Sequence, residues 1–202
     1  MQTLAVFDFD KTLYTKNTLI EFTIFTLGFP QFAVKLIRFL PFYLLFKIKL
    51  IDDNVCKRVF LTTFYKHKSI GTILSKADQY SKEKIKNSLD PFHLERIYHH
   101  LNQGHVIVIL SATFRFILQS WCKTNGIDLI ATDVQVMNEC LTGRLEGKNC
   151  YGKAKVAALK EKYNIEDYYI FGYGDSKSDL PFLALADEAY FKRRIISPGL
   201  TK

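Results

Sequence analysis

The sequence has no CxxC pair and no low-complexity tract, and its four cysteines (Cys56, Cys122, Cys140, Cys150) are scattered. That excludes a zinc ribbon and a disulfide framework, and predicts reduced thiols in a cytosolic protein. Ten glycines and five prolines among 202 residues exclude a collagen-like chain. Residues 1–6 lack a basic start and a long apolar stretch, so no secretory leader is expected. Residues 29–51 are apolar and aromatic, but Lys35, Arg38, Lys47 and Lys49 interrupt them and Pro41 sits in the middle. Their longest uncharged run, residues 39–46, is eight residues, whereas a spanning helix needs about 20. A conventional transmembrane helix is not expected, and an interfacial helix stays open.

What is present is globular in proportion: 48% hydrophobic and 24% charged residues, in a length that suits one or two domains. The 28 Lys and Arg against 20 Asp and Glu give a net charge of +8. A basic chain favours anionic partners such as phosphoesters, nucleic acid or an acidic membrane surface.

Three apolar runs read as buried parallel strands: Leu4-Ala5-Val6-Phe7, Val106-Ile107-Val108-Ile109-Leu110 and Tyr168-Tyr169-Ile170-Phe171. Each ends in polar residues, and helical patterns follow the second (residues 114–123) and the third (179–185). Residues 129–132 and 189–191 read as further strands. This alternation predicts an α/β fold with a parallel sheet, whose working edge is the carboxyl end of its strands. The stretch from 16 to 89 breaks the alternation with helical patterns at 20–27, 31–40, 53–65 and 72–88. It is too long for a loop and predicts a helical insertion over the strand ends. Residues 133–146 read as a β-hairpin with Gly143 near its turn.

Four elements carry chemistry. Asp8-Phe9-Asp10-Lys11-Thr12 ends the first strand. One of its carboxylates can attack phosphorus, and the other can protonate a leaving alcohol and later deprotonate water. Gly174-Asp175-Ser176-Lys177-Ser178-Asp179 brings two more carboxylates to the same edge. Four acids at one place repel unless a cation sits among them, and all-oxygen ligation fits Mg²⁺. Ser111, before Ala112 and Thr113, offers a hydroxyl beside backbone N–H groups for a phosphate oxygen. Lys153 can neutralise the transferring phosphoryl group, with Lys155 as its rival. Singly, each has a plainer reading: a turn, a helix cap, an N-cap serine, a surface lysine.

Together, in this order, they resemble the haloacid dehalogenase (HAD) superfamily over nearly the whole chain. Leu141-Thr142-Gly143-Arg144-Leu145-Glu146-Gly147 before the lysine is similar to its phosphoserine-phosphatase-like branch, subfamily IB. The resemblance implies a HAD-like Rossmannoid core (residues 1–15 and 90–202) with an inserted helical C1 cap (residues 16–89). It implies Asp8 as nucleophile and Mg²⁺ ligand, with Asp10 as general acid/base that also offers the metal its backbone carbonyl. Thr12 supports the turn, while Ser111, Ala112 and Lys153 hold the phosphoryl group. Asp175 ligates Mg²⁺, and Asp179 supports the metal shell or orients the lysine. Asp10 argues against halide displacement, because the dehalogenases lack that second aspartate. Asn17 stands where phosphoserine phosphatases carry a glutamate, and Ser111-Ala112-Thr113 replaces their Ser-Gly-Gly, so phosphoserine is not the expected substrate.

Between residues 29 and 68, eight basic residues face two acidic ones, +6 of the chain's +8, interleaved with aromatics. One reading is a packed apolar stripe with lysines on the wet face, taken first. The other is a peripheral contact with an anionic membrane at the inner face of a cytoplasmic compartment. This composition, with Gly172-Tyr173-Gly174-Asp175-Ser176, Asp179-Leu180-Pro181 and Ser197-Pro198-Gly199, is similar to the phosphatidylglycerophosphatase C group. Arg58 is the cap residue expected to reach a substrate anion. His99-His100 reads as a surface pair and Trp121 as core. The expected activity is a Mg²⁺-dependent phosphatase acting on a phosphorylated small molecule or lipid. The alternatives are a phosphotransferase and a non-enzymatic anion binder on the same fold. Nucleic acid is not expected, since no stacking motif is visible.

Overall fold

A computed structural model describes residues 2–196 of the chain, and Ser197-Pro198-Gly199 lies outside them. β1 (Gln2–Phe7) occupies the middle of a seven-stranded sheet. Its Ala5 and Phe7 enter one core layer, while Leu4 and Val6 enter the other. A strand covered on both faces needs no polar side, which is why this run is uniformly apolar. β2 (Val106–Phe114) and β5 (Tyr168–Gly174) flank β1 in parallel, placing Ile109 and Tyr173 on either side of Phe7. β3 (Asp128–Met137) and β6 (Glu188–Phe191) extend the parallel sheet outward. β4 (Cys140–Glu146) and β7 (Arg194–Ile196) close its edges antiparallel. In the order β4-β3-β2-β1-β5-β6-β7 the winding reverses at β1. The crevice of such a sheet opens at that switch point. The α/β sheet expected from the sequence is the fold observed.

Between β1 and β2 the chain builds α1 (Thr18–Leu27), α2 (Phe29–Lys47), α3 (Asp53–Tyr65) and α4 (Ile70–Tyr80). The insertion leaves and returns at one place: Thr15 N donates to Ser88 O (3.0 Å) and Asp90 N to Leu13 O (2.8 Å). Two helices differ from expectation. α2 does not stop before Pro41 but continues to Lys47. Proline removes one helical hydrogen bond; the neighbouring Phe39 packs on Phe60 (5.2 Å) and Phe64 (6.1 Å) of α3 and holds the helix through it. The helix expected over 72–88 ends at Tyr80, followed by a π-helical turn, Ser81–Ile85, and a 3-10 turn, Lys86–Ser88.

α5 (Pro91–Asn102), α6 (Arg115–Thr124), α7 (Lys153–Lys162) and the single turn α8 (Leu180–Leu183) complete the layers. Trp121 of α6 is core. His99 is exposed, but His100, expected beside it on the surface, is buried with Nε2 against the Tyr173 hydroxyl (2.9 Å). The β3–β4 hairpin turns at Asn138 and Glu139, both at positive φ, rather than near Gly143. Gly143 lies within β4 at φ +86°, where the Thr62 hydroxyl of α3 donates to its carbonyl (2.9 Å).

Candidate active site

β1, β2 and β5 end side by side, so residues just beyond them share one edge. Asp8 follows β1, and its N–H donates to Tyr173 O (2.9 Å). Asp175 follows β5, and Asp179 folds back from the start of α8. One carboxylate oxygen from each of Asp8, Asp175 and Asp179 lies within 4.8 Å of the other two. Gly174 makes this possible: a Cβ there would stand 2.7 Å from the Asp179 Cβ. Asp179 is fully buried and its Oδ2 accepts from Ser176 N (2.9 Å) and Ser176 Oγ (2.7 Å).

The cation of this cluster is Lys155, not Lys153. Lys155 Nζ donates to Asp8 Oδ1 and to Asp179 Oδ1, both at 2.6 Å, and its side chain is buried. Lys153 is the first residue of α7 and exposed. Two positions apart on a helix point to nearly opposite faces, so only one of the pair can reach Asp8. Lys155 lies one turn before buried Leu159, on the face turned to the sheet; that spacing was the available signal. Lys153 lines instead a 790 Å³ groove with Arg115, Asp133 and Glu146. None of the three clustered aspartates lines that groove.

Asp10 sits apart from the three-carboxylate cluster. Its Oδ1 accepts from Thr18 N (2.8 Å) and from the Thr18 hydroxyl, at the first turn of α1, and its Oδ2 from Thr113 Oγ1 (2.8 Å). Neither threonine was singled out from the sequence as a partner of Asp10. Thr12 is buried, with its hydroxyl 3.4 Å from Asp8 Oδ2. Ser111 is buried within β2, and its Oγ accepts from Thr113 N (3.1 Å), at a register shift between Ser111 and Phe114. Ala112 borders a cavity beyond the strand ends, and its carbonyl accepts from Thr132 Oγ1 (2.9 Å).

Above the strand ends, a 330 Å³ cavity separates the core from the cap. Asp10, Thr113 and Lys57 give it a polar end, and Leu19, Ile20, Phe39, Tyr43, Phe46 and Phe60 give it apolar walls. The cap cation facing Asp10 is therefore Lys57; Arg58 is exposed and lines another groove, with Arg38, Lys66 and Arg144. Lys57 precedes Phe60 and Phe64 by three and seven positions, on the buried face of α3, and its Nζ lies 4.8 Å from the Phe114 ring centroid. Arg58 sits one position round from that face. Asn17 lines the cavity and caps α1, accepting from Ile20 N (3.0 Å). Asn149 ties core to cap, donating from Nδ2 to Asp53 Oδ2 (3.1 Å) and from its backbone N to Asn54 Oδ1 (2.8 Å).

Burial pushes the Asp8 carboxyl up to about 7, against the pull of Lys155 and with the added push of Asp179 and Asp10. Asp175 is also raised, by burial and then by Asp179. Burial opposes the Lys155 ammonium, yet Asp8 and Asp179 hold it above the usual lysine range. Burial lowers Lys57 to about 8, against Asp10. Three crowded carboxylates with one ammonium leave two negative charges uncompensated. A hard divalent cation held by carboxylate oxygens fits that donor set and that charge.

The chain is 26% identical over 193 residues to Protein CicA of Caulobacter vibrioides, covering 94% of this chain and 85% of that protein. Its fold matches a protein of unknown function from Bordetella pertussis Tohama I with a TM-score of 0.83, at 20% identity, over 95% of this chain and 90% of that one. It also matches a phosphoserine phosphatase in apo form with a TM-score of 0.67, at 19% identity, over 95% and 86% of the two chains. Residues 5–184, from the middle of β1 through the end of α8, match the haloacid dehalogenase-like hydrolases, and the chain belongs to that family.

Proposed function

We propose that the protein is a Mg²⁺-dependent phosphatase that hydrolyses a phosphomonoester through an aspartyl-phosphate on Asp8. The observation that carries this reading is Lys155 held between Asp8 and Asp179, with Asp175 completing a three-carboxylate cluster at the sheet's switch point. Asp8, Asp175 and the Asp10 backbone carbonyl would hold Mg²⁺, with Asp179, whose two oxygens take Lys155 and Ser176, supporting that shell and the Asp10 side chain left free of the ion. Bound there, the ion supplies positive charge to the phosphoryl oxygens and keeps Asp8 ionised.

In the first step an Asp8 carboxylate oxygen attacks phosphorus, and the bond from phosphorus to the ester oxygen breaks. Asp10 gives its proton to the departing oxygen, and its fixing by Thr18 and Thr113 sets where that proton is delivered. In the second step Asp10 takes a proton from water, the water oxygen bonds to phosphorus, and Asp8 leaves as carboxylate with release of inorganic phosphate. Lys155 keeps Asp8 oriented throughout and offsets charge on the phosphoryl group. Ser111 Oγ, three residues before the end of β2, and the backbone after it would take a phosphate oxygen. Lys57 faces the leaving-group side of the cavity.

The cavity walls favour a second, narrower reading of the substrate: a phosphomonoester carrying an apolar portion, as in a lipid phosphate. Six apolar or aromatic side chains beyond Asp10 would contact such a portion, while Asn17, Asp53, Lys57, Thr113 and Asn149 keep the rest of the lining polar. A phosphotransferase would use the same Asp8 chemistry with an acceptor other than water, and a non-enzymatic anion binder would have no use for the buried Lys155 pair.

The test is hydrolysis of an aryl phosphate with Mg²⁺, then with chelator, then by Asp8→Asn. Release of inorganic phosphate that needs the metal and disappears in Asp8→Asn is expected. Undiminished turnover by a clean Asp8→Asn preparation overturns the nucleophile. Phosphate appearing only on an added alcohol makes the enzyme a transferase.

A further inference from the structure

Among the described residues α2 is the helix long and apolar enough, by length and composition, to cross a membrane. Its two ends settle its course. α1 before it and α3 after it both pack on the core-side aromatics: Phe22 on Phe116 (6.1 Å) and Phe60 on Phe114 (6.4 Å). A spanning α2, about 28 Å long at 1.5 Å per residue, would put those neighbours on opposite sides of a bilayer.

The unusual feature is the outer face. Successive helical residues turn by about 100°, so Phe32, Phe39 and Phe46 form one ridge, turned toward α3. Half a turn away stand Val34, Ile37, Pro41, Leu44 and Ile48. Surface helices normally turn polar residues outward. Here Val34 is 66% exposed, Ile37 73%, Leu44 55% and Ile48 65%. The reading of α2 as an apolar stripe with lysines on its wet face therefore holds in part: Phe32 and Phe39 pack inward and Arg38 and Lys47 are exposed, but Lys35 turns inward to Thr63 O (2.6 Å) and the outermost face is apolar.

The two flanks of this face differ in character. On one, Tyr43 lines the catalytic cavity. On the other, Arg38 joins Arg58, Lys66 and Arg144 around a 490 Å³ groove. None of these four makes an ion pair among the described residues. Residues 29–51 contain four basic side chains and no acidic one. A second copy seated on α2 would bring two such sets together with no acid between them, whereas an anionic lipid surface complements both the apolar face and its cationic flank.

We propose that α2 docks the protein in the plane of an anionic lipid bilayer, its Val34–Ile37–Leu44–Ile48 face seated among the acyl chains and the Arg38–Arg58–Lys66–Arg144 groove holding lipid phosphates. Docking in this pose brings the Tyr43 side of the catalytic cavity to headgroup depth. It does not depend on the reading of Asp8, and its test needs neither turnover nor metal.

The experiment is flotation of the full chain with phosphatidylcholine vesicles, alone and with one-third phosphatidylglycerol, at low and high salt. At least about tenfold more protein floats with the anionic vesicles at low salt, and the excess falls as salt rises. Ile37→Glu with Leu44→Glu lowers that binding at least about tenfold, with unchanged melting temperature and unchanged solution hydrolysis of an aryl phosphate. Arg58→Glu with Arg144→Glu removes the preference for anionic vesicles. No flotation of the native chain with anionic vesicles at low salt overturns the proposal. So does binding unaltered by both pairs of substitutions. If light scattering shows a dimer that Ile37→Glu dissociates while vesicles capture neither form, a second copy covers α2 and the proposal fails.

Discussion

Lys153 and Lys155 differ by one intervening alanine, and the structure separates them completely. An ammonium buried between two carboxylates leaves both uncompensated when removed. Lys155→Ala is expected to lower kcat by roughly 10²–10³-fold, whereas Lys153→Ala stays within about twofold; steady-state hydrolysis of an aryl phosphate compares them. Equal losses in both would remove Lys155 from its assigned role. The four aspartates were legible because carboxylates placed just past apolar runs fall at the sheet edge whatever the details of packing. The lysine and the cap cation were harder, since helical phase decides them. The phase was nonetheless written in Leu159 for Lys155 and in Phe60 and Phe64 for Lys57. Thr18 and Thr113 gave no such signal: Thr18 meets Asp10 because α1 folds back on it, and Thr113 because β2 lies beside β1, a contact spanning 103 residues.

At the scale of elements, α3 was legible from end to end, while α2 and the β3–β4 hairpin were not. Pro41 reads as a stop locally, and only the packing of Phe39 on α3 carries α2 past it. Gly143 reads as a turn residue locally, and only the approach of α3 shows why it sits in a strand. A Cβ at 143 would meet Thr62 Oγ1 at 2.9 Å and Thr62 Cα at 3.2 Å, on a backbone at φ +86°. Gly104, at φ +69°, has nothing within 4 Å of the same atom. Gly104→Ala should therefore cost only the backbone strain, about 1–2 kcal/mol. Gly143→Ala should cost more, because β4 and α3 must also separate, and thermal unfolding of the two variants measures the difference. Equal melting temperatures would mean that the close approach of the hairpin to the cap contributes nothing. Phe39→Ala should lose about 3–5 kcal/mol, as a large ring leaves the α2–α3 interface, read by urea unfolding.

For the whole molecule, the alternation of strand and helix gave away the layered sheet, but not what lies inside its layers. His100 is an instance: beside exposed His99, it sits against β5 with Nε2 on the Tyr173 hydroxyl and Nδ1 2.8 Å from His105 Nδ1. Burial, with the nearby His105, His99 and Arg96 charges, pushes it down to about 4. His93 is lowered as well, by burial against the pull of Asp90. The unfolded chain then binds protons that the folded one refuses, so this contribution shrinks as pH drops below about 6.5 and is gone near 4. The expected loss from His100 is about 1–2 kcal/mol after allowing for solvent around the ring. The carboxylates near Asp8 titrate over the same range with the opposite sign, because their raised values favour the folded state on acidification. A stability profile of the native chain alone therefore mixes the two. Comparing it with His100→Gln cancels the carboxylates, which both proteins share. The variant should lose less stability than the native chain between pH 7.5 and pH 5 by roughly 1 kcal/mol in urea unfolding, and parallel profiles would show that His100 does not titrate differently on folding.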